Sequence, residues 1–248
     1  MMMMRIGLFL LLLLPVMAVG QVVQEPVNIN YFKYATVGGG AHNLGWFVSG
    51  RYGLSKTKNS DIIYEFDIWR TKHPKEVRVQ NQQFVNPKAY TFGKVNDLYN
   101  THLGIGTQRV IFDKGEKRGV EVRYHVSGGA SLAVLLPVYL EVLYATSPND
   151  PFRFTTRTEL YDPNRHFADN IYGGASFGTG FSELKIQPGI YGKGGFVFEW
   201  GSFTEEIRVL EAGLAIDFFP KPVPVMALIE NNRLFMSFYL GIHLGKRW

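Results

Sequence analysis

The 248-residue chain contains no cysteine. That excludes a disulfide-stapled scaffold and a lipid anchor on an N-terminal cysteine. Long apolar runs are also scarce. In MMMMRIGLFLLLLLPVMAVG the run from Ile6 to Val16 is shorter than the ~20 residues of a spanning helix. One basic residue, Arg5, precedes it, and the small residues Ala18, Val19 and Gly20 follow. This is the layout of a secretory signal, which assigns 1–20 to a signal segment and 21–248 to the exported domain. Charge is thin: Asp, Glu, Lys and Arg make up 19% of the chain, with a formal net charge of +5. The basic residues are scattered, which suits contact with anionic lipid and gives no nucleic-acid patch. The glycine clusters VGGGAHNLG and GTGFSELKIQPG lack the lysine and hydroxyl of a phosphate loop. Without cysteine, and with none of His42, His73 and His166 at a credible ligand spacing from another His, Asp or Glu, neither a metal nor a cofactor is expected.

What is abundant is glycine, with 27 residues, and aromatic side chains, at 15%. They fall in stretches of period-two alternation, the pattern of strands with two unlike faces. NLGWFVSGRYGLS sets Trp46, Val48 and Tyr52 against Ser49, Arg51 and Gly53. DIIYEFDIW sets Ile62, Tyr64, Phe66 and Ile68 against Glu65 and Asp67. LYNTHLGIGTQRVIF sets Leu103 and Ile105 against Asn100, His102 and Gln108. VEVRYHVSGGASLAVLLPVYLEVLY, GASFGTGFSELKI, IYGKGGFVFEWG, IRVLEAGLAIDFF and RLFMSFYLGIHLGKRW continue the series. Eight alternating stretches give an all-β fold, a closed antiparallel barrel of about eight strands, or ten if EVRVQ and RFTTRTEL also count. The second face is rich in Gly, Ser and Ala with sparse charges of both signs. That suits a narrow barrel interior, with the apolar face turned to lipid. Trp46, Tyr52, Trp69, Tyr99, Trp200 and Trp248 lie near strand ends, where interfacial girdles form. A soluble lipocalin-like barrel would hide the apolar face instead.

The last stretch carries a resemblance. Phe238, Leu240, Ile242, Leu244 and the terminal Trp248 resemble the sorting signal of small Gram-negative outer-membrane β-barrel proteins of the outer-membrane protein A/X-like or PorT-like kind. The resemblance implies residence in the cell outer membrane, contact with outer-membrane lipid and lipopolysaccharide, and recognition of those five residues by the barrel-assembly machinery. It also implies that both termini face the periplasm.

On this phase the lumen receives Arg51, Glu65, Asp67, His102, Glu121, Arg123, Lys193, Glu199, Glu211 and Asp217. Charges in so narrow an interior must pair, so a polar plug is expected, with a narrow passive channel as the other reading. The most enzyme-like stretch is RYHVSGG. His125 and Ser127 share a face, and with Glu141 they loosely resemble the His-x-Ser plus Glu set of outer-membrane lipid A 3-O-deacylases. Gly128 stands where that family has Asn, and the phase puts His125 in the lumen rather than toward lipid. The main expectation is therefore a non-enzymatic scaffold or accessory subunit of an envelope or secretion complex. Connections 70–97, 145–172 and 219–233 are long. Counted from the eight stretches, the first two fall on the periplasmic side, which leads to an expected protein partner there.

Overall fold

A computed structural model describes residues 32–57, 59–84, 86–115, 119–147, 150–201 and 205–248; the expected signal segment 1–20 lies outside them. The strands in chain order are β1 (Lys33–His42), β2 (Gly45–Thr57), β3 (Ser60–Thr71), β4 (Arg78–Val79), β5 (Tyr90–Thr91), β6 (Asn96–Phe112), β7 (Val120–Pro137), β8 (Tyr139–Ser147), β9 (Asp150–Leu160), β10 (Ile171–Gly174), β11 (Lys185–Trp200), β12 (Glu206–Phe218) and β13 (Leu234–Arg247). Eight of them close an antiparallel barrel in the order β1-β2-β3-β6-β7-β11-β12-β13, with β13 returning to β1. The shortest wall strand, β1, has 10 residues. At ~3.4 Å per residue and a tilt of ~40° it rises ~26 Å, the height of the apolar band of a membrane barrel.

The two faces separate as the alternation requires. Along β13, Phe238 is 64% exposed and Leu244 59%, whereas Phe235 and Tyr239 are buried. The same division runs through β2, β3, β6, β7, β11 and β12. Phe66, Leu103, Ile105, Val126, Phe196 and Leu240 together form an exposed apolar belt. No soluble chain leaves a belt of that extent in water. The protein is a membrane β-barrel with lipid on its apolar face. Aromatics ring both margins: Trp46 meets Tyr99 edge-on at 6.5 Å on one, and Tyr52 lies 6.4 Å from Trp248 on the other.

The count of eight is right, but two members differ from expectation. β1, KYATVGGGAH, is a wall strand that the alternation misses. Its outward face carries Lys33, Ala35, Val37, Gly39 and Ala41, so no large apolar series marks it. Conversely, GASFGTGFSELKI is no wall strand: Phe177–Glu183 is a 3-10 segment. Its Phe177 and Phe181 meet edge-on at 5.4 Å, a pairing that three- or four-residue helical spacing allows as readily as alternation suggests a strand. The long 120–144 stretch breaks after Pro137, which has no N–H to donate, and Val138 N donates to Val95 O of another connection instead (2.8 Å). RFTTRTEL and EVRVQ do contribute strands, β9 and β4, but in small sheets outside the wall.

Gaining β1 at the front and losing 174–186 in the middle changes which rim carries which loops. Lys33 and Trp248 meet at one rim, the proximal one, through reciprocal backbone hydrogen bonds of 3.1 and 2.9 Å. The β2–β3, β6–β7 and β11–β12 connections lie there too, and all are short. At the distal rim lie the tight β1–β2 turn and the three long connections, 72–95, 138–184 and 219–233. The expectation that 70–97 and 145–172 lie beside the termini is therefore reversed. The parity of the strand count decided it, and β1 supplied the missing unit.

The distal connections are themselves structured. β8 pairs with both β9 and β10, and β4 with β5. They share an apolar core of Tyr90, Leu140, Val142, Tyr161 and Ile171. Asn81 ties this unit together by donating to the carbonyls of Ala168 (2.8 Å) and Ile171 (3.1 Å).

Candidate functional site

The lumen is filled in layers. In the middle, the Arg51 guanidinium grips Glu211 in a bidentate pair and lies 3.5 Å from Glu65. Lys193 joins Glu65 (2.9 Å) to Asp67 (2.5 Å). Carboxylates outnumber the fixed cations here, and neutral donors fill the remaining lone pairs. Tyr191 donates to Glu65 at 2.7 Å and Tyr239 to Glu211 at 2.5 Å. Further along, His102 Nε2 lies 2.7 Å from Asp217, which also accepts from Ser131 (2.7 Å). All these side chains are buried, so each charge depends on its partners rather than on water.

Glycines make the room. Gly104 and Gly129 face each other across β6 and β7. A Cβ on Gly104 would come within 2.0 Å of the Tyr191 hydroxyl, and one on Gly129 within 2.2 Å of Leu103 O. Only glycine lets the tyrosine cross the lumen to Glu65.

Toward the proximal rim a second cluster joins Arg123 to Glu121 and to Asp61 (2.6 Å), and Glu199 to Lys114 (2.9 Å) and Arg247. Between the two clusters is a cavity of about 60 Å³ lined by Tyr34, Thr36, Arg51, Arg123, Glu199 and His243 among others. It has room for a few waters among these polar groups. Toward the distal rim the filling turns apolar. Trp69 stacks on Phe47 at 4.6 Å and meets Tyr239 edge-on. Trp69 is thus a lumen residue, 1% exposed, and not part of the girdle expected for it. Its odd-numbered position on β3 puts it in phase with Glu65 and Asp67.

Above it, the 219–233 connection folds into the barrel mouth. Phe219, Val223, Val225 and Met226 pack on the lumen-facing Leu98, Ala133, Leu135 and Phe235. Asn231 holds this stopper by accepting from the N–H groups of Val225 (2.8 Å) and Met226 (3.0 Å) while donating to Met226 O (2.8 Å).

All ten charged and histidine positions assigned to the lumen from sequence point inward, eight of them in these two clusters and His102 and Asp217 in the pair beyond. Asp61, Lys114, Tyr191, Tyr239 and Arg247 join them without having been singled out. Asp61, Tyr191 and Tyr239 were legible from the same alternation phase, whereas Lys114 reaches in from a turn and carries no such signal. Of the sorting positions, Phe238, Leu240, Ile242 and Leu244 lie outward on β13, and Trp248 sits at the proximal rim.

The set His125, Ser127 and Glu141 is not assembled. Glu141 lies on β8 in the distal unit, paired with Lys88 at 2.5 Å. Ser127 gives its single proton to Glu65 (2.5 Å), so the 3.1 Å contact with His125 Nε2 has the imidazole as donor. A catalytic dyad needs the opposite polarity, with the hydroxyl proton passing to His. His125 is also fully buried among Glu65, Glu211 and Ser127.

Among solved structures the chain is similar to Neisserial surface protein A, with 10% identity and a TM-score of 0.37 over 87% of this chain and 94% of that one. It is similar also to the N-terminal β-barrel domain of Pseudomonas aeruginosa OprF, with 9% identity and a TM-score of 0.37 over 87% and 96%. No protein-family model and no curated protein matches the chain. Likenesses at this level say nothing of what the barrel does, and the functional reading rests on its own geometry.

Proposed function

We propose that this chain is an outer-membrane β-barrel that acts as a non-enzymatic scaffold in an envelope complex, presenting its distal unit at the membrane surface. The observation that carries the reading is the double block of the lumen beneath a structured set of loops. Ion pairs fill the middle, an apolar stopper fills the distal mouth, and the long connections gather into one unit with a core of its own. A transport path needs neither block, and a plain anchor needs no such unit. Short turns beside the termini and long loops opposite are the arrangement of bacterial outer-membrane barrels, whose turns face the periplasm. The partner-bearing surface therefore faces away from the periplasm, opposite to the side that the strand count from sequence had suggested.

Single-cysteine labelling tests the orientation, since the native chain has no cysteine to compete. Asn164→Cys, in the distal unit, is expected to react with a membrane-impermeant maleimide on intact cells. Gly115→Cys, in the β6–β7 connection with open space around it, is expected to react only after permeabilisation. The opposite pattern would remove the proposal that the distal unit faces outward. In planar bilayers the purified protein is expected to show no steady conductance. Step currents that persist at high protein purity would favour the channel reading over the scaffold.

A further inference from the structure

The 3-10 segment Phe177–Glu183 lies against the outside of the wall. On β7 the odd-numbered residues 121–135 face the lumen, so Val134 and Leu136 face outward. Leu136 is nonetheless buried, only 3% exposed. Gly180 covers it: a Cβ there would touch Leu136 Cδ1 at 3.4 Å and Pro137 O at 2.4 Å. The segment thus seals the upper edge of the lipid-facing surface with its small-residue side. Its other side presents Phe177 and Phe181, 60% and 52% exposed, followed by Leu184 at 42% and, outward on β11, Ile186 at 65% and Ile190 at 63%. Ile186 pairs with Val134, so this apolar surface runs without a break into the lipid belt. On the neighbouring strand Leu136 pairs with Asp97, which binds Arg70 (3.1 Å) and Lys94 (2.8 Å). Tyr99 of the aromatic girdle lies one outward position below Asp97. The phenylalanines therefore sit at the height where the wall changes from apolar to charged.

We propose that Phe177–Leu184 is an interfacial membrane anchor, with the Phe177 and Phe181 rings inserted at the headgroup–acyl boundary of the distal leaflet. The partner is the lipid surface itself. Continuity with the lipid belt argues for it, and so does the pair of exposed aromatics, the residues that settle at such boundaries. Held at that depth, the segment fixes the start of β11 and the end of the long 138–184 connection against the bilayer. The inference rests on the membrane-barrel reading, and the test separates the two.

Nitroxide labels are placed one at a time at Phe181→Cys, at Phe238→Cys on the lipid-facing side of β13 and at Asn164→Cys in the distal unit. The protein is reconstituted in phosphatidylcholine–phosphatidylglycerol vesicles. Collision with oxygen, which concentrates in lipid, and with a water-soluble nickel chelate is then compared. The label at 238 is expected to show strong preference for oxygen, the label at 164 strong preference for nickel, and the label at 181 an oxygen preference between them. A lipid-like value at 238 with a value at 181 equal to that at 164 overturns the anchor alone. A water-like value at 238 overturns the membrane reading and the anchor with it. As a second variant, Phe177→Ser in the labelled Phe181→Cys chain is expected to shift the 181 value toward water. Equality with the parent value overturns the paired-ring anchor.

Discussion

Arg51→Met is expected to destabilise the barrel by about 3–5 kcal/mol, the usual penalty for removing one partner of a buried ion pair. The side chain is buried beside two carboxylates, and its removal leaves Glu211 with a hydrogen bond from Tyr239 but no fixed cation. Urea unfolding in lipid vesicles, followed by the fluorescence of the four tryptophans, measures the effect. Arg208→Met is the control, because Arg208 and its partner Glu206 are both more than half exposed. That pair is expected to contribute less than about 1 kcal/mol. Adding Glu211→Leu to Arg51→Met removes the stranded charge and is expected to recover much of the loss, since an apolar replacement of a buried pair is often nearly neutral. An Arg51→Met cost no larger than that of Arg208→Met would show that the layered network does not hold the wall strands together.

Leu240→Arg is expected to cost about 2–4 kcal/mol in a bilayer, the penalty for a cation on the lipid face near the midplane. Leu240 is 54% exposed, near the middle of β13, between Ala41 on β1 and Ala212 on β12. In water the same change at an exposed position would shift stability by only about 0.5 kcal/mol. The size of the effect thus differs several-fold between the two environments, and the measurement needs no knowledge of function. Refolding yield into vesicles, with heat-modifiable gel migration to report the closed form, reads it directly. Yields equal to wild type would place the outer face of β13 out of contact with lipid.

The architecture was visible in sequence wherever a strand carries large residues on one face. β2, β3, β12 and β13 alternate so regularly that the inward set follows from parity alone, and Arg51, Glu65, Glu211 and Asp217 fall into place with it. β1 escaped because a strand signalled by alternation needs contrast, and Val37 stands alone on its apolar side. The 3-10 segment intruded for the converse reason: Phe177, Thr179 and Phe181 alternate, but backbone geometry and not periodicity decides between a turn of helix and a strand over seven residues. One strand lost and one gained left the number correct and moved every intervening loop to the other rim. Partners in the lumen were less legible than faces. Ser127 pairs with Glu65, 62 residues away, and Tyr191 reaches the same oxygen from 126 residues away. Such meetings depend on barrel register, which no local pattern encodes. The stopper was legible only as a proline-rich connection, because Phe219, Val223, Val225 and Met226 alternate imperfectly and acquire their partners from β6, β7 and β13.

The glycine-rich β1 also bears on how the cylinder closes. Its seam with β13 joins Val37 to Leu244 and Gly39 to Ile242, the pairings most distant along the wall sequence. Every other seam of the wall joins strands consecutive around the barrel and nearer in the chain, so this one carries the largest loop-closure entropy. Yet Gly38, Gly39 and Gly40 offer no side chains with which to recognise the opposing strand. Backbone hydrogen bonds must set the register there, and the bulk needed to hold it comes from β13 alone. Closure is thereby assigned to one informative strand meeting one permissive strand, an asymmetry that makes β13 the element that leads and β1 the element that is captured.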